Sequence, residues 1–217
     1  MNRSIFISPS TLSFLAEECR RCHYLEAHRL RQRPRTPMPT IFTKIDAAMK
    51  EHLAQNEQIL DPGLPPFRIM EQDRRVTSAP IPVPGTDVDL IIRGNYDSLL
   101  YFADGILGVV DWKTSRVRDD LAAKYARSLH AYAYALEHPA FGSPCLIGRL
   151  GLGVFEPLGF KTTSENAHLV GSLSWLPIQR DDATFIAYLE DVGRILAQPE
   201  APRASASCPF CSYHEAA

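Results

Sequence analysis

Hydrophobic positions change their spacing several times along the chain, and the changes divide it into elements. Leu12, Leu15 and Cys19 recur at helical intervals behind Ser8-Pro9-Ser10, residues suited to a helix start. Cys22, Leu25 and Leu30 extend the pattern, which predicts a first helix over 8–30. After Pro34, Pro37 and Pro39, the residues Ile41, Ile45, Ala48 and Leu53 predict an amphipathic helix over about 41–56 that carries Asp46 and His52. Residues 60–67 read as a loop, and 68–83 as a short strand at most, ending in a proline-rich turn. Two apolar, β-rich runs then flank Asp104-Gly105, the strongest short-range hairpin signal. Leu121, Tyr125, Leu129, Tyr132 and Leu136 form a helical stripe that Asp119 or Asp120 can cap and Pro139 ends. Strands are expected over 145–156 and 167–178, then a helix over about 181–197 with Phe185, Tyr188, Leu189, Val192, Ile195 and Leu196 on its apolar face. The tail reads as a loop. The order predicts an α/β fold, one mixed central β-sheet flanked by helices. One domain over 1–217 is expected, with its core at about 41–197, a cysteine-bearing helix before it and a tail over 198–217 after it.

The hairpin concentrates the chemistry. Asp97 lies seven residues before Asp104 and Asp111 seven after it, so a bend at Asp104-Gly105 sets them opposite each other. Asp111 and Lys113 are two apart, and strand alternation points both to one face. Paired carboxylates in a buried sheet repel each other unless a cation sits between them, and Mg²⁺ prefers such oxygens. A metal-activated water beside an ammonium is equipment for attack on a phosphodiester. The plainer reading is a salt bridge, Lys113 neutralising Asp111 on a solvated face. Against it stand Ile106, Leu107, Val109 and Val110, a near-continuous apolar run typical of a central strand covered on both faces.

Composition changes this picture little. Apolar residues make up 45% and charged residues 22%, ordinary for a globular protein, and the net charge of −2 means that any basic surface is local. That surface is the stretch from Arg20 to Arg35, where Arg20, Arg21, Arg29, Arg31, Arg33 and Arg35 face only Glu26. It reads either as a solvated helix end or as a phosphate-contacting segment. No run approaches the roughly 20 apolar residues of a membrane helix, and MNRSIFISPS lacks a signal-peptide core, so a cytoplasmic location is expected.

Four of the five cysteines form two C-x-x-C pairs, Cys19/Cys22 and Cys208/Cys211. Paired motifs of this kind signal a tetrahedral metal site that would clip the first helix to the tail. Zinc and a [4Fe–4S] cluster both take four thiolates, and spacing leaves both open. His23 and His214 neighbour the pairs and could replace a thiolate; Cys145 reads as a core residue.

Gly94 and Asp97, then Val109-Val110-Asp111, Lys113 and Thr114, then a helix, resemble the G-x-x-D … V-V-D-x-K-T arrangement of RecB-like PD-(D/E)XK nucleases. The bracketing cysteines are similar to those of the CRISPR-associated and AddB-type members, which hold an iron–sulfur cluster, although those place one cysteine early and three late. The resemblance implies a restriction-endonuclease-like core in which Asp97 and Asp111 bind Mg²⁺ or Mn²⁺ with the Trp112 carbonyl. Lys113 would orient the attacking water. Asp46 stands where the family carries a metal-binding histidine, with His52 in reserve. The family's Q-x-x-x-Y becomes Ser128-x-x-x-Tyr132, which carries over Tyr132 and loses the glutamine. The activity implied is metal-dependent DNA cleavage, probing strand ends as an exonuclease in repair, phage or CRISPR-related processing, with the arginines Arg20, Arg21, Arg29 and Arg31 tracking the phosphates. The alternative is a nuclease-like module that binds nucleic acid or a partner protein without cutting; a small zinc-stapled scaffold with no nucleic-acid role is a third reading.

Overall fold

The computed structural model describes residues 2–34, 37, 39–55, 57 and 60–215, the side chains of 213–215 excepted. Arg35 and the His214 side chain lie outside the described residues. The long strand β4 (Val88–Phe102) is the hub. Strand β1 (Arg3–Ile7) runs parallel to its first half, with Ile5 beside Leu90. Strands β2 (Phe67–Thr77) and β3 (Ile81–Pro82) run antiparallel to it. Strand β5 (Leu107–Thr114) returns antiparallel from the Asp104-Gly105 turn. It then pairs in parallel with β6 (Ile147–Thr162), which pairs antiparallel with β7 (Ala167–Ile178). The result is a seven-stranded mixed sheet in the order β1-β4-β5-β6-β7, with β2 and β3 also on β4.

The crossover from β5 to its parallel neighbour β6 is the helix α4 (Leu121–Glu137), as a parallel pair requires. Its Leu129, Ala131 and Ala135 are fully buried in the larger core, with Val109, Leu152 and Val154 of the sheet and Leu189 and Leu196 of the helix α5 (Asp182–Leu196). Asp181 caps α5 by accepting a hydrogen bond from the Thr184 N–H at 3.0 Å. A second, smaller core joins Leu53 of the helix α3 (Thr40–Ala54) to Phe67, Leu100, Phe102, Val110, Trp112 and Trp175. Successive residues of β5 therefore feed two cores, Val109 one and Val110 the other, which explains its unbroken apolar run.

Three expectations change, and one strand is added. The helix expected over 8–30 is broken: a π-helical turn at Thr11–Leu15 leads into α1 (Ala16–Glu18), Cys19 is extended at φ −159°, and α2 (Arg20–Ala27) follows. That break turns Cys19 and Cys22 inward together. The opening residues form a strand, because Ile5 and Ile7 alternate with exposed residues against β4. The stretch assigned at most a short strand is the 11-residue β2, whose MEQDRR run faces solvent on a half-covered strand. The tail is not all loop: α6 (Pro209–Glu215) carries Cys211.

Candidate active site and thiolate cluster

The hairpin forms as its turn residues require. Gly105 adopts φ +85°, a left-handed conformation open to glycine, and Phe102 N–H donates to the Ile106 carbonyl across the turn. Ser98 pairs with Val110, and continuing that register sets Asp97 opposite Asp111. On the other side, Gln72 pairs with Ser98 and Arg74 with Tyr96, which sets Asp73 opposite Asp97. One rung across β2, β4 and β5 thus carries three carboxylates.

Each carboxylate is held differently. The Trp112 N–H donates to Asp97 Oδ2 at 2.9 Å, and the Trp112 indole donates to Ser98 Oγ at 2.8 Å from the opposite face. Lys113 Nζ lies 2.6 Å from Asp111 Oδ2 and 4.7 Å from the centre of the Tyr125 ring. Burial pushes the Asp111 carboxyl up to about 7; Lys113 opposes the rise and the neighbouring Asp97 charge adds to it. Burial pushes Asp97 the same way, but the hydrogen bond from Asp111 and the charges of Lys113 and Lys50 outweigh it and hold Asp97 low. The two carboxyls therefore titrate as a coupled pair, Asp97 held below the usual carboxylate range and Asp111 above it. Burial alone would lower Lys113, and Asp111 reverses that, so the lysine stays charged. Two half-buried carboxylates on one rung are the hard oxygen donors that a divalent cation takes, and the residues fit such an ion.

Asp97 Oδ1 faces a second ammonium. Lys50 of α3, 5% exposed, sits 2.8 Å from Asp73 Oδ1, 3.0 Å from Asp46 Oδ2 and 3.4 Å from Asp97 Oδ1. Asp73 holds a left-handed φ of +50° there. Asp46, expected as a metal ligand, instead engages Lys50 one helical turn on. Lys50 and Asp73 do not stand out in the sequence: a lysine four residues after an aspartate on a helix reads as a solvated pair. The one signal is that Lys50 lies a turn from the buried Leu53.

Tyr132 packs edge-on to Tyr96 at 6.4 Å, and its hydroxyl is pushed up by burial and then by the charges of Asp111 and Asp97. A Cβ at Gly94 would lie 2.7 Å from Pro9 Cδ and 3.0 Å from Tyr132 Cε1, so a glycine is needed where the π-helical turn and α4 both approach β4. Ser128 does not join the site: its N–H donates to Ser13 Oγ at 2.8 Å and its hydroxyl to the Tyr125 carbonyl at 2.8 Å. His52 is exposed.

Cys19, Cys22, Cys208 and Cys211 converge, all buried, with their sulfurs within 4.8 Å of one another. The Sγ separations are 3.7 Å for Cys19–Cys211, 3.7 Å for Cys22–Cys208 and 3.5 Å for Cys22–Cys211. Backbone N–H groups of Ser205 and Cys22 overcome burial and draw Cys19 down to about 6. Arg33 donates to Cys208 Sγ at 3.3 Å, pairs with Glu18 and lies over the Phe210 ring at 4.5 Å. His23, expected as an alternative ligand, is buried but outside the cluster, and its Nε2 has no hydrogen-bond partner among the described residues. Of the four arginines expected to contact phosphate, Arg20 pairs with Asp191 at 3.0 Å and Arg21 donates to the Pro202 carbonyl at 3.2 Å. Arg29 and Arg31 are exposed. Among the described residues no helix is long and apolar enough to cross a membrane.

The sequence matches the family model described as the PD-(D/E)XK nuclease superfamily over residues 15–216. Its fold is similar to the crystal structure of a protein designated SSO0001, with a TM-score of 0.54 and 16% identity, covering 97% of this chain and 84% of that one. No curated protein sequence matches this chain.

Proposed function

The chain belongs to the PD-(D/E)XK nuclease superfamily, and from that premise we propose that Asp97, Asp111 and Lys113 hydrolyse DNA phosphodiester bonds with Mg²⁺ or Mn²⁺, acting on strand ends. The observation that carries this reading is the half-buried Asp97–Asp111 pair with Lys113 at 2.6 Å from Asp111. Asp97 and Asp111 would hold the metal, with the Trp112 carbonyl as a further ligand. Bound there, the ion would polarise a water and stabilise charge on the phosphate.

The rest of the chemistry falls to side chains. The Trp112 N–H fixes the Asp97 carboxylate before substrate arrives. Lys113, kept charged by Asp111, orients the attacking water and offsets charge on the phosphoryl oxygens. Tyr132 stands over the same carboxylates as a contact to substrate. Hydrolysis adds the water oxygen to phosphorus and breaks the bond to the departing sugar oxygen, which takes up a proton. Exposed Arg29 and Arg31 would contact phosphates along the strand.

The test is incubation of single- and double-stranded DNA with Mn²⁺, beside Asp111→Ala and Lys113→Ala. The expected result is cleavage that each variant slows by about a hundredfold or more. A wild type that leaves every substrate whole removes the enzymatic reading. Ser128 favours a second reading, a module that binds nucleic acid without cutting, because packing contacts occupy the position where the family's glutamine would stand. Tight DNA binding without cleavage would select it.

For the thiolates we favour one tetrahedral Zn²⁺. Zinc–sulfur bonds of about 2.3 Å put ligand sulfurs about 3.8 Å apart, close to the separations here. A four-iron cluster interposes a cube of atoms and needs its thiolates farther apart. Metal analysis of purified protein tests this; a brown protein containing iron and sulfide would overturn it.

A further inference from the structure

Lys50 is a cation of this centre that the proposed reaction leaves without a task. Its ammonium is almost fully buried and ringed by carboxylate oxygens of Asp46, Asp73 and Asp97 at 2.8–3.4 Å. Burying an ammonium is costly unless partners surround it, and here three do. The helix that carries it is pinned to β2, because Gln72 Nε2 donates to the Lys50 carbonyl at 3.1 Å. Its contacts divide Asp97 into two sides: Oδ2 turns toward β5, where it accepts the Trp112 N–H, and Oδ1 turns toward Lys50. A divalent ion shared by Asp97 and Asp111 has its place on the β5 side. On the other side, a second divalent ion would need the same oxygens that Lys50 already engages.

We infer that Lys50 is a resident counter-ion, a positioning residue that fills the place of a second divalent ion and limits this centre to one. This rests on the metal-dependent reading proposed above. One positive charge from Lys50 and two from the bound ion neutralise the three rung carboxylates Asp73, Asp97 and Asp111, leaving Lys113 and Asp46 as a compensating pair of charges. A second divalent ion would add charge that the centre has no acid left to balance while Lys50 stays. Removing the ammonium frees Asp46, Asp73 and Asp97 to act as a hard oxygen site of the kind divalent ions take.

The experiment counts Mn²⁺ bound per chain by electron paramagnetic resonance of the free ion, using the full-length protein with its cysteine site as purified. An Asp97→Asn/Asp111→Asn double variant serves as the blank. Wild type is expected to bind one Mn²⁺ and Lys50→Met two, the second being lost again in Lys50→Met/Asp73→Asn. Lys50→Arg, which keeps the charge, is expected to bind one. Two ions in wild type, or one in a folded Lys50→Met protein, overturn the inference; the wild-type count does so even if Lys50→Met fails to fold. No Mn²⁺ in wild type overturns the metal reading itself along with it. One ion bound without any DNA cleavage overturns the nuclease reading alone.

Discussion

At the scale of single residues, steric room and proton occupancy give the sharpest expectations. Gly94→Ala places a methyl 2.7 Å from Pro9 and 3.0 Å from the Tyr132 ring. Overpacking of this kind is expected to cost about 1–3 kcal/mol in thermal denaturation, and to lower any cleavage rate because Tyr132 is displaced. His23 concerns acid. Burial lowers its imidazole from 6.5 to about 4, so the unfolded chain binds a proton between those values and the folded chain does not. Stability from this group is therefore present above pH 6.5 and lost as pH falls toward 4, by on the order of 3 kcal/mol. Urea unfolding from pH 7 to pH 4 should show a shallower loss in His23→Phe than in wild type. Asp97, Asp111 and Lys113 were legible from spacing because strand alternation and a three-residue turn fix where they point. Lys50 was not, since only the approach of α3 to β2 turns an ordinary helical lysine inward, and nothing local to α3 records that approach.

At the scale of elements, the β4–β5 hairpin depends on one backbone conformation. Gly105 has φ +85°, and a Cβ there would find only the Tyr101 hydroxyl at 3.9 Å. Gly105→Ala is thus a test of backbone strain free of clashes, and a loss of roughly 1–2 kcal/mol is expected in urea unfolding. The helices α4 and α5 were readable from their apolar stripes, because each lays one face on the sheet; in α3 the expected stripe is only partly that face, with Ile41 and Ala48 exposed and Lys50 and Leu53 buried. The ends of β6 were not. The strand continues to Thr162, where Leu158 and Phe160 are exposed, and continuity there comes from pairing with β7 rather than from burial. β2 was obscured for a related reason: its charged run belongs to a strand with one wet face, and the period-2 signal is interrupted by a bulge between Ile69 and Glu71. The first helix was over-read because four well-spaced residues, Leu12, Leu15, Cys19 and Cys22, are all buried although the chain between them is not one helix.

At the scale of the whole molecule, the cysteine cluster joins residues 192 apart in sequence, Cys19 and Cys211. A cross-link closing so long a loop restricts the unfolded chain, by up to about 5 kcal/mol on the loop-closure scale. Cys19→Ser, or stripping the metal with a strong chelator, is expected to lower the melting temperature measured by circular dichroism; an unchanged melting temperature would mean the thiolates bind no ion that matters to the fold. The same separation bears on how the protein is made. Cys22 leaves the ribosome 186 residues ahead of Cys208, which at ordinary synthesis rates is a wait of roughly 10–40 s. During that interval the early thiols stand alone before the translating machinery has delivered their partners, open to oxidants and to foreign metals. An ion taken by all four thiolates would enter only after Cys211 has been made, and cells short of it would accumulate chains whose two cysteine pairs were never tied.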